Sequence, residues 1–297
     1  MSTLTAAPRE FRQPTLRPLV LIEARRFVRH PAFMVGLTAC VVFTAMTAPK
    51  AGPDANSGFL AAFFIGVFSL VVTYRQTRST RSSREALDAS PTSVTRRVAA
   101  MCIVCLVPAG FGVLWLASFY VTQQIWPLEP WMHGSFSRAD EFAILFGQSV
   151  VACLGGPIAG MAAARWLRFR GAVLVLVVGT VGVVALGLTD SDSGAPMNIR
   201  LLTPFTFFTS NNINPASEDS LPGSPWWYLA WLLTLCAFGV IAALLRGAEP
   251  PLVRQLKVAG TVGLVVALSC GMLGLTGGLD QAMRIFPDGH SIVRPVR

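Results

Sequence analysis

Seven stretches of this chain run for 17 to 25 residues almost without charge: 32–48, 58–74, 98–121, 142–166, 171–189, 226–245 and 258–278. None contains Asp, Glu, Lys or His, and their one arginine, Arg165, stands at a rim. About 20 apolar residues wound as a helix match the ~30 Å hydrocarbon layer of a bilayer. Strands of a membrane barrel would alternate apolar and polar residues, and these runs do not. Only 13% of the residues are charged, too few to coat a soluble protein of 297 residues. The expected fold is an all-α polytopic transmembrane bundle of about seven spans. The last run is the weakest, since six of its residues are glycine. The first follows some thirty residues and no clean small-x-small cleavage site, so it is read as a span and not as a signal peptide.

Basic residues set the expected orientation, because Lys and Arg are retained on the cytoplasmic side. Eighteen of the 24 fall in four alternate segments: before run one, between runs two and three, between four and five with Arg165 at the rim of run four included, and between six and seven. The other six are Lys50, Arg138, Arg200, Arg284, Arg294 and Arg297. The amino terminus is therefore expected in the cytoplasm and, with seven spans, the tail 279–297 outside. The charge of +9 sits at membrane flanks with no recognition motif, which favours anionic headgroups over nucleic acid as a partner.

Residues 1–15 read as a disordered cytoplasmic tail. In 16–30, Leu16, Val20, Ala24 and Phe27 recur at helical spacing with Arg17, Arg25 and Arg29 on another side. That pattern predicts a helix lying in the headgroup plane, ended by Pro31 before the transmembrane domain, 31–278. The longest outside link, 190–225, carries "IRLLTPFTFFTSNN". Leu201, Leu202, Pro204, Phe205, Phe207 and Phe208 are too apolar for a free loop and too few for a span, so a re-entrant or interfacial segment is expected.

Six cysteines lie inside the runs; Cys102 and Cys105 form a C-x-x-C without a partner pair or a nearby His, which reads as packing and not as a metal site. The three histidines are scattered, no catalytic set is visible, and no G-x-x-x-x-G-K-[ST] occurs. Gly156, Gly160 and Ala164 are spaced four apart, the pattern that lets membrane helices touch closely, either within one subunit or at a dimer seam. Transporters driven by ions need ionisable groups in mid-membrane. None is present, so energy for any transport is expected from another polypeptide.

The link between runs two and three holds six arginines, from Arg75 to Arg97, around an acidic insert, Glu85-Ala-Leu-Asp88. On a short helix Arg84, Leu87 and Asp88 share one face, and Pro91 ends it beyond Ser90. The alternative is a solvated turn with local ion pairs.

Four segments, "LIEARRFVRHPAF", "REALDASPTSVTRRVAA", "ARWLRFRGAVLVL" and "SPWWYLAWLLTLCAFGVIAALLR", together resemble the type-2 ABC exporter permeases of actinobacteria in order and spacing. The resemblance implies that 16–30 is the interfacial connecting helix and that Arg84, Glu85, Leu87, Asp88 and Ser90 dock a cytosolic ATPase. It implies re-entrant helices near Leu201–Phe208, a second permease subunit as homo- or heterodimer, and ATP and Mg on the ATPase, with no cofactor on this chain. The family core has six spans, so a seventh is appended here. A non-transport membrane scaffold or assembly factor is the alternative function.

Overall fold

In the computed structural model the described residues are 16–51, 57–82, 93–127, 129, 135–167, 169, 171–187, 197–213, 216–278 and 282–294. The acidic insert and its neighbours, Arg84 to Ser90, lie outside them, as do the tail 1–15 and residues 279–281 and 295–297.

The apolar runs become helices. They are α1 (Leu16–Val28), α2 (Pro31–Ala51) and α3 (Gly58–Leu60, Ala61–Val67 and Phe68–Ser82). Next come α4 (Val94–Val104 and Leu106–Ile125), α5 (Arg138–Phe146, Gly147–Val151 and Ala152–Trp166) and α6 (Ala172–Gly187). The last two are α7 (Pro225–Leu245) and α8 (Pro250–Thr276). Five of them, α3, α4, α5, α7 and α8, are long and apolar enough to cross a bilayer; α1 and α2, bent by 61° at their junction, make a sixth candidate as one broken span. Seven spans were expected. The shortfall is α6, whose 16 described residues rise only about 24 Å.

The bend between α1 and α2 follows from Pro31, which bars its predecessor from helical geometry. His30 occupies the corner, where its Nδ1 accepts the N–H of Ala32 at 3.2 Å. Burial, with Arg75 and Arg26 nearby, holds its pKa below the ordinary value and favours the neutral ring that this bond requires. Phe27 is fully buried against Phe33, 4.9 Å between ring centres, while Leu21 and Ile22 stay exposed. The apolar face of α1 therefore packs on the bundle, and the helix lies across it.

α5 is the central helix, with α3, α4, α6 and α7 around it. One core fills the space between α4, α5 and α7, with Met101, Ile158, Met161, Leu229 and Leu232. A second joins α1 to α5 through Phe27, Ile65, Trp115, Phe119 and Leu145. α8 packs chiefly on α7 and otherwise presents apolar residues outward, such as Val262, Leu268 and Met272. An outward apolar surface of this extent is what a bilayer solvates.

Arginines gather at one end of the bundle. Arg78 donates to the Tyr74 hydroxyl and to the carbonyl of Phe169, Arg26 donates to Ser79, and Arg246 stacks over Trp166 at 5.4 Å. Trp166 in turn donates to the carbonyl of Ala242, and Thr95 to that of Gly247.

The opposite end carries a feature that the apolar runs did not foretell. Four strands, β1 (Thr209–Ile213), β2 (Ala216–Ser220), β3 (Ala282–Ile285) and β4 (Ser291–Arg294), form an antiparallel sheet in that order. The expected all-α bundle is present, and a small sheet caps it. The hairpin after α8, in the segment expected only as an outside tail, pairs with β2, placing Asp219 opposite Arg284. Their side chains form a two-pronged ion pair at 2.5 and 2.6 Å, mostly shielded from solvent. Gly223 and Gly278 take positive φ, 121° and 85°, and let the entry to α7 lie against the exit of α8. There the Ser224 N–H donates to the carbonyl of Gly274 at 3.2 Å.

Cutting the ion pair should loosen this cap. Arg284→Ala is expected to cost about 3 kcal/mol, because a shielded carboxylate then loses its fork of donors. Adding Asp219→Ala should cost clearly less than the sum of the two single changes. SDS unfolding of the purified protein measures both values; strict additivity would mean that the pair is not coupled.

Candidate functional site

Among the described residues, the seam between α3 and α5 is the most extensive helix contact. A methyl group on Gly156 would overlap the carbonyl oxygen of Gly66, and one on Gly160 would overlap that of Leu70. One turn further, Ala164 packs in a buried cluster with Tyr74. Gly156, Gly160 and Ala164 thus face Gly66, Leu70 and Tyr74, each set stepping by four. The small-residue pattern seals one subunit internally and is not left open for a second copy. Gly36 approaches the carbonyl of Phe64 in the same way, and Gly112 that of Ser149. Without lipid-excluding hydrophobic force between helices, such close backbone approach supplies the packing energy.

Both helices of the seam loosen into wider π-helical turns, α3 at Ala61–Val67 and α5 at Gly147–Val151. Such turns carry one extra residue per turn and accompany functional sites more often than plain helix does. α5 also contains Pro157, which withdraws one backbone donor within the same few turns.

Beside these irregular turns lies a cavity of about 480 Å³. α3 contributes Phe63 and Leu70, α5 Ala159, α6 Val181, and α7 Leu235 and Cys236. Of its twenty lining residues, only Thr180 and Cys236 carry a side-chain heteroatom, and none is an acid or a base. The Thr180 hydroxyl is already engaged, donating to the carbonyl of Leu176 at 2.7 Å.

Pro204 and Phe205 close the capped end of the cavity. They follow a short 3-10 turn, Met197–Leu202, and precede β1, so Leu201–Phe208 forms a roof built of one turn and an extended stretch. Leu201, Phe205 and Phe208 are buried, whereas Leu202 is half exposed. Phe59 meets Phe205 and Phe207 edge-on at 6.2 Å, and Phe208 packs on Tyr228 at 5.5 Å.

Arg200 holds this roof in place. It donates to the carbonyls of Phe207 and Pro222, the latter at 2.5 Å, and to the Thr206 hydroxyl at 3.3 Å. Its guanidinium lies 5.4 Å from the ring centre of Phe208. Burial lowers its pKa to about 10, which leaves it charged at neutral pH. Two further bonds fasten the roof: Tyr228 donates to the carbonyl of Thr203 at 2.9 Å, and Gln148, on the π turn of α5, to that of Thr206 at 3.1 Å. By its place in the chain Arg200 counts only as an outside charge. A lone cation inside "NIRLLTPFTFF" was the available sign of a buried hub.

Cys102 and Cys105 are unpaired thiols on α4 and at its break, and no cluster among the described residues could hold a metal ion. Arg84, Glu85, Leu87, Asp88 and Ser90, which the resemblance assigns to ATPase docking, fall outside the described part.

Glycine substitutions separate the seam from ordinary helix surface. Gly156→Ala and Gly160→Ala should each destabilise by about 1–3 kcal/mol, since the overlapping carbonyls are backbone and cannot rotate away. Gly179→Ala on α6, where an added methyl meets nothing within 4 Å, should be neutral or slightly stabilising. SDS-unfolding midpoints decide the matter; equal shifts at all three would contradict the seam. Compared with known proteins, the chain matches no family model, no curated protein and no solved structure, so its function must be read from its own residues.

Proposed function

We propose that the chain is the membrane-spanning permease subunit of an ATP-driven ABC transporter of the export type. Two permease subunits form the pathway, and a separate cytosolic ATPase carries ATP and Mg. The protein sits in the cytoplasmic membrane with seven crossings, its amino terminus and the arginine-rich end in the cytoplasm and the sheet outside. α6 completes the count as a short crossing that runs from Ala172, beside Tyr74 and Ala164, to the roof. Thinning of the bilayer accommodates a span of this length at modest cost.

The cavity carries the reading. It lies among four membrane helices, beside their irregular turns, and no lining residue can bind a proton or an ion strongly enough to couple a gradient to movement. A pathway of that chemistry needs an external motor. The order of parts supports the same reading: a surface helix bent into the first long helix, and an arginine-rich link carrying Glu85 and Asp88 between α3 and α4. A membrane scaffold needs neither such a cavity nor a motor.

Two measurements test this. A single cysteine replacing Asp288, exposed in the hairpin turn, should react with an impermeant thiol reagent in intact cells, and one at Gly247 should not. Reaction of both, or of Gly247 alone, defeats the orientation. The paired change Glu85→Lys and Asp88→Lys adds positive charge to a cytoplasmic loop and should leave insertion intact. Co-purification of a co-expressed P-loop ATPase should fall about tenfold, near 1.4 kcal/mol. Retention of the ATPase at the original level would reduce the loop to an anchor, and failure of any ATPase to co-purify with the unmodified chain would favour the scaffold.

A further inference from the structure

We infer that the cavity is a binding site for the long alkyl chain of a membrane amphiphile, entered sideways from the bilayer past α6. Three observations lead there. The first is the lining: its one hydroxyl is spoken for and the rest is hydrocarbon, aromatic ring, glycine or thiol. A sugar, nucleotide, peptide or ion placed there would surrender its hydration without a partner in return. An alkyl chain surrenders nothing. The second is size, since about 480 Å³ falls in the range of pockets that enclose a small molecule.

The third is the position of the mouth. Val181 and Ala159 line the cavity and both remain exposed, which points to an opening in the wall between α6 and α5. The outer face of α6, with Leu174, Val175 and Val178, is apolar and more than half exposed. For a helix in a bilayer, exposure of this kind means contact with acyl chains. The molecules nearest the mouth are therefore those that the interior suits. α6 is also the most weakly held wall, with only slight packing on α3, α5 and the roof turn. The seam behind it is rigid. A chain can displace α6 without disturbing Gly156 or Gly160.

Binding of the chain does not require the ATPase; calling it cargo rests on the permease reading. The test uses the full-length protein in nanodiscs of phosphatidylcholine containing a phosphatidylcholine with a diazirine on its acyl chain. Photolysis followed by peptide mapping should place the label on inward residues such as Phe63, Leu70 and Leu235. Ala159→Phe fills the interior and Val181→Trp blocks the mouth, both from exposed positions that the fold should tolerate. Each should lower inward labelling roughly tenfold, while Leu174→Phe, on the outer face, should leave it unchanged. Labelling confined to outward faces, or inward labelling indifferent to both blocking variants, overturns the site. So does a cysteine at Val181 that crosslinks one subunit to another with no inward label, because a second copy would then fill the opening. Inward labelling that persists where no ATPase co-purifies would keep the site and discard the permease.

Discussion

Where Gly156 and Gly160 of α5 meet the carbonyls of Gly66 and Leu70 on α3, two helices come as near as backbone allows, and the positions of the others follow. In lipid no solvent drives helices together, so contact area and closeness must do it. α3 and α5 supply the spine. α1 and α2 pack on it through Phe27 and Phe33, α7 through Leu229 and Leu232, and α4 joins both groups, with Trp115 in one core and Met101 in the other. α6 and α8 have no glycine seam of comparable tightness with that spine and remain peripheral. The molecule thus divides into a tight half and a loose rim, and the cavity lies along their border.

Irregularity is concentrated at that border too. The π turns of α3 and α5 and the proline of α5 fall within a few residues of the seam. Gly66 and Gly156 meet at the seam and also line the cavity beside Phe63 and Ala159, so close packing and hollow adjoin in the same few turns. The roof adds a second principle. Its carbonyls at Thr203, Thr206 and Phe207 accept from the side chains of Tyr228, Gln148 and Arg200.

Much of the bundle was legible in the residues, and the reasons are specific. Uncharged runs announce helices because lipid tolerates no other unpaired backbone. Gly156, Gly160 and Ala164 announced a close contact, although their spacing alone could not say whether the partner was α3 or another subunit. Arginine segregation was legible in part: Arg26, Arg78 and Arg246, from three of the basic segments, share an end of the bundle. The sheet was not legible: "TSNNI" and "ASEDS" have no alternation of apolar and polar residues, and β2 is stabilised by strands some 65 positions away. The buried role of Arg200 was hidden for a similar reason, since its partners belong to a roof that exists only once α7 is in place. The cavity has no sequence signature, being a space left between four helices.

The pairing of β2 with β3 has a consequence for how the molecule is made. β2 precedes α7 in the chain and β3 follows α8, so the two strands can meet only when α7 has left that end of the bundle and α8 has come back to it. Synthesis delivers β2 early, with its inner edge open, and it must wait for the two longest-delayed helices. Closure of the sheet is then the last event of assembly. A chain that threads α8 wrongly leaves one edge of β2 without its strand partner and Asp219 without the Arg284 fork.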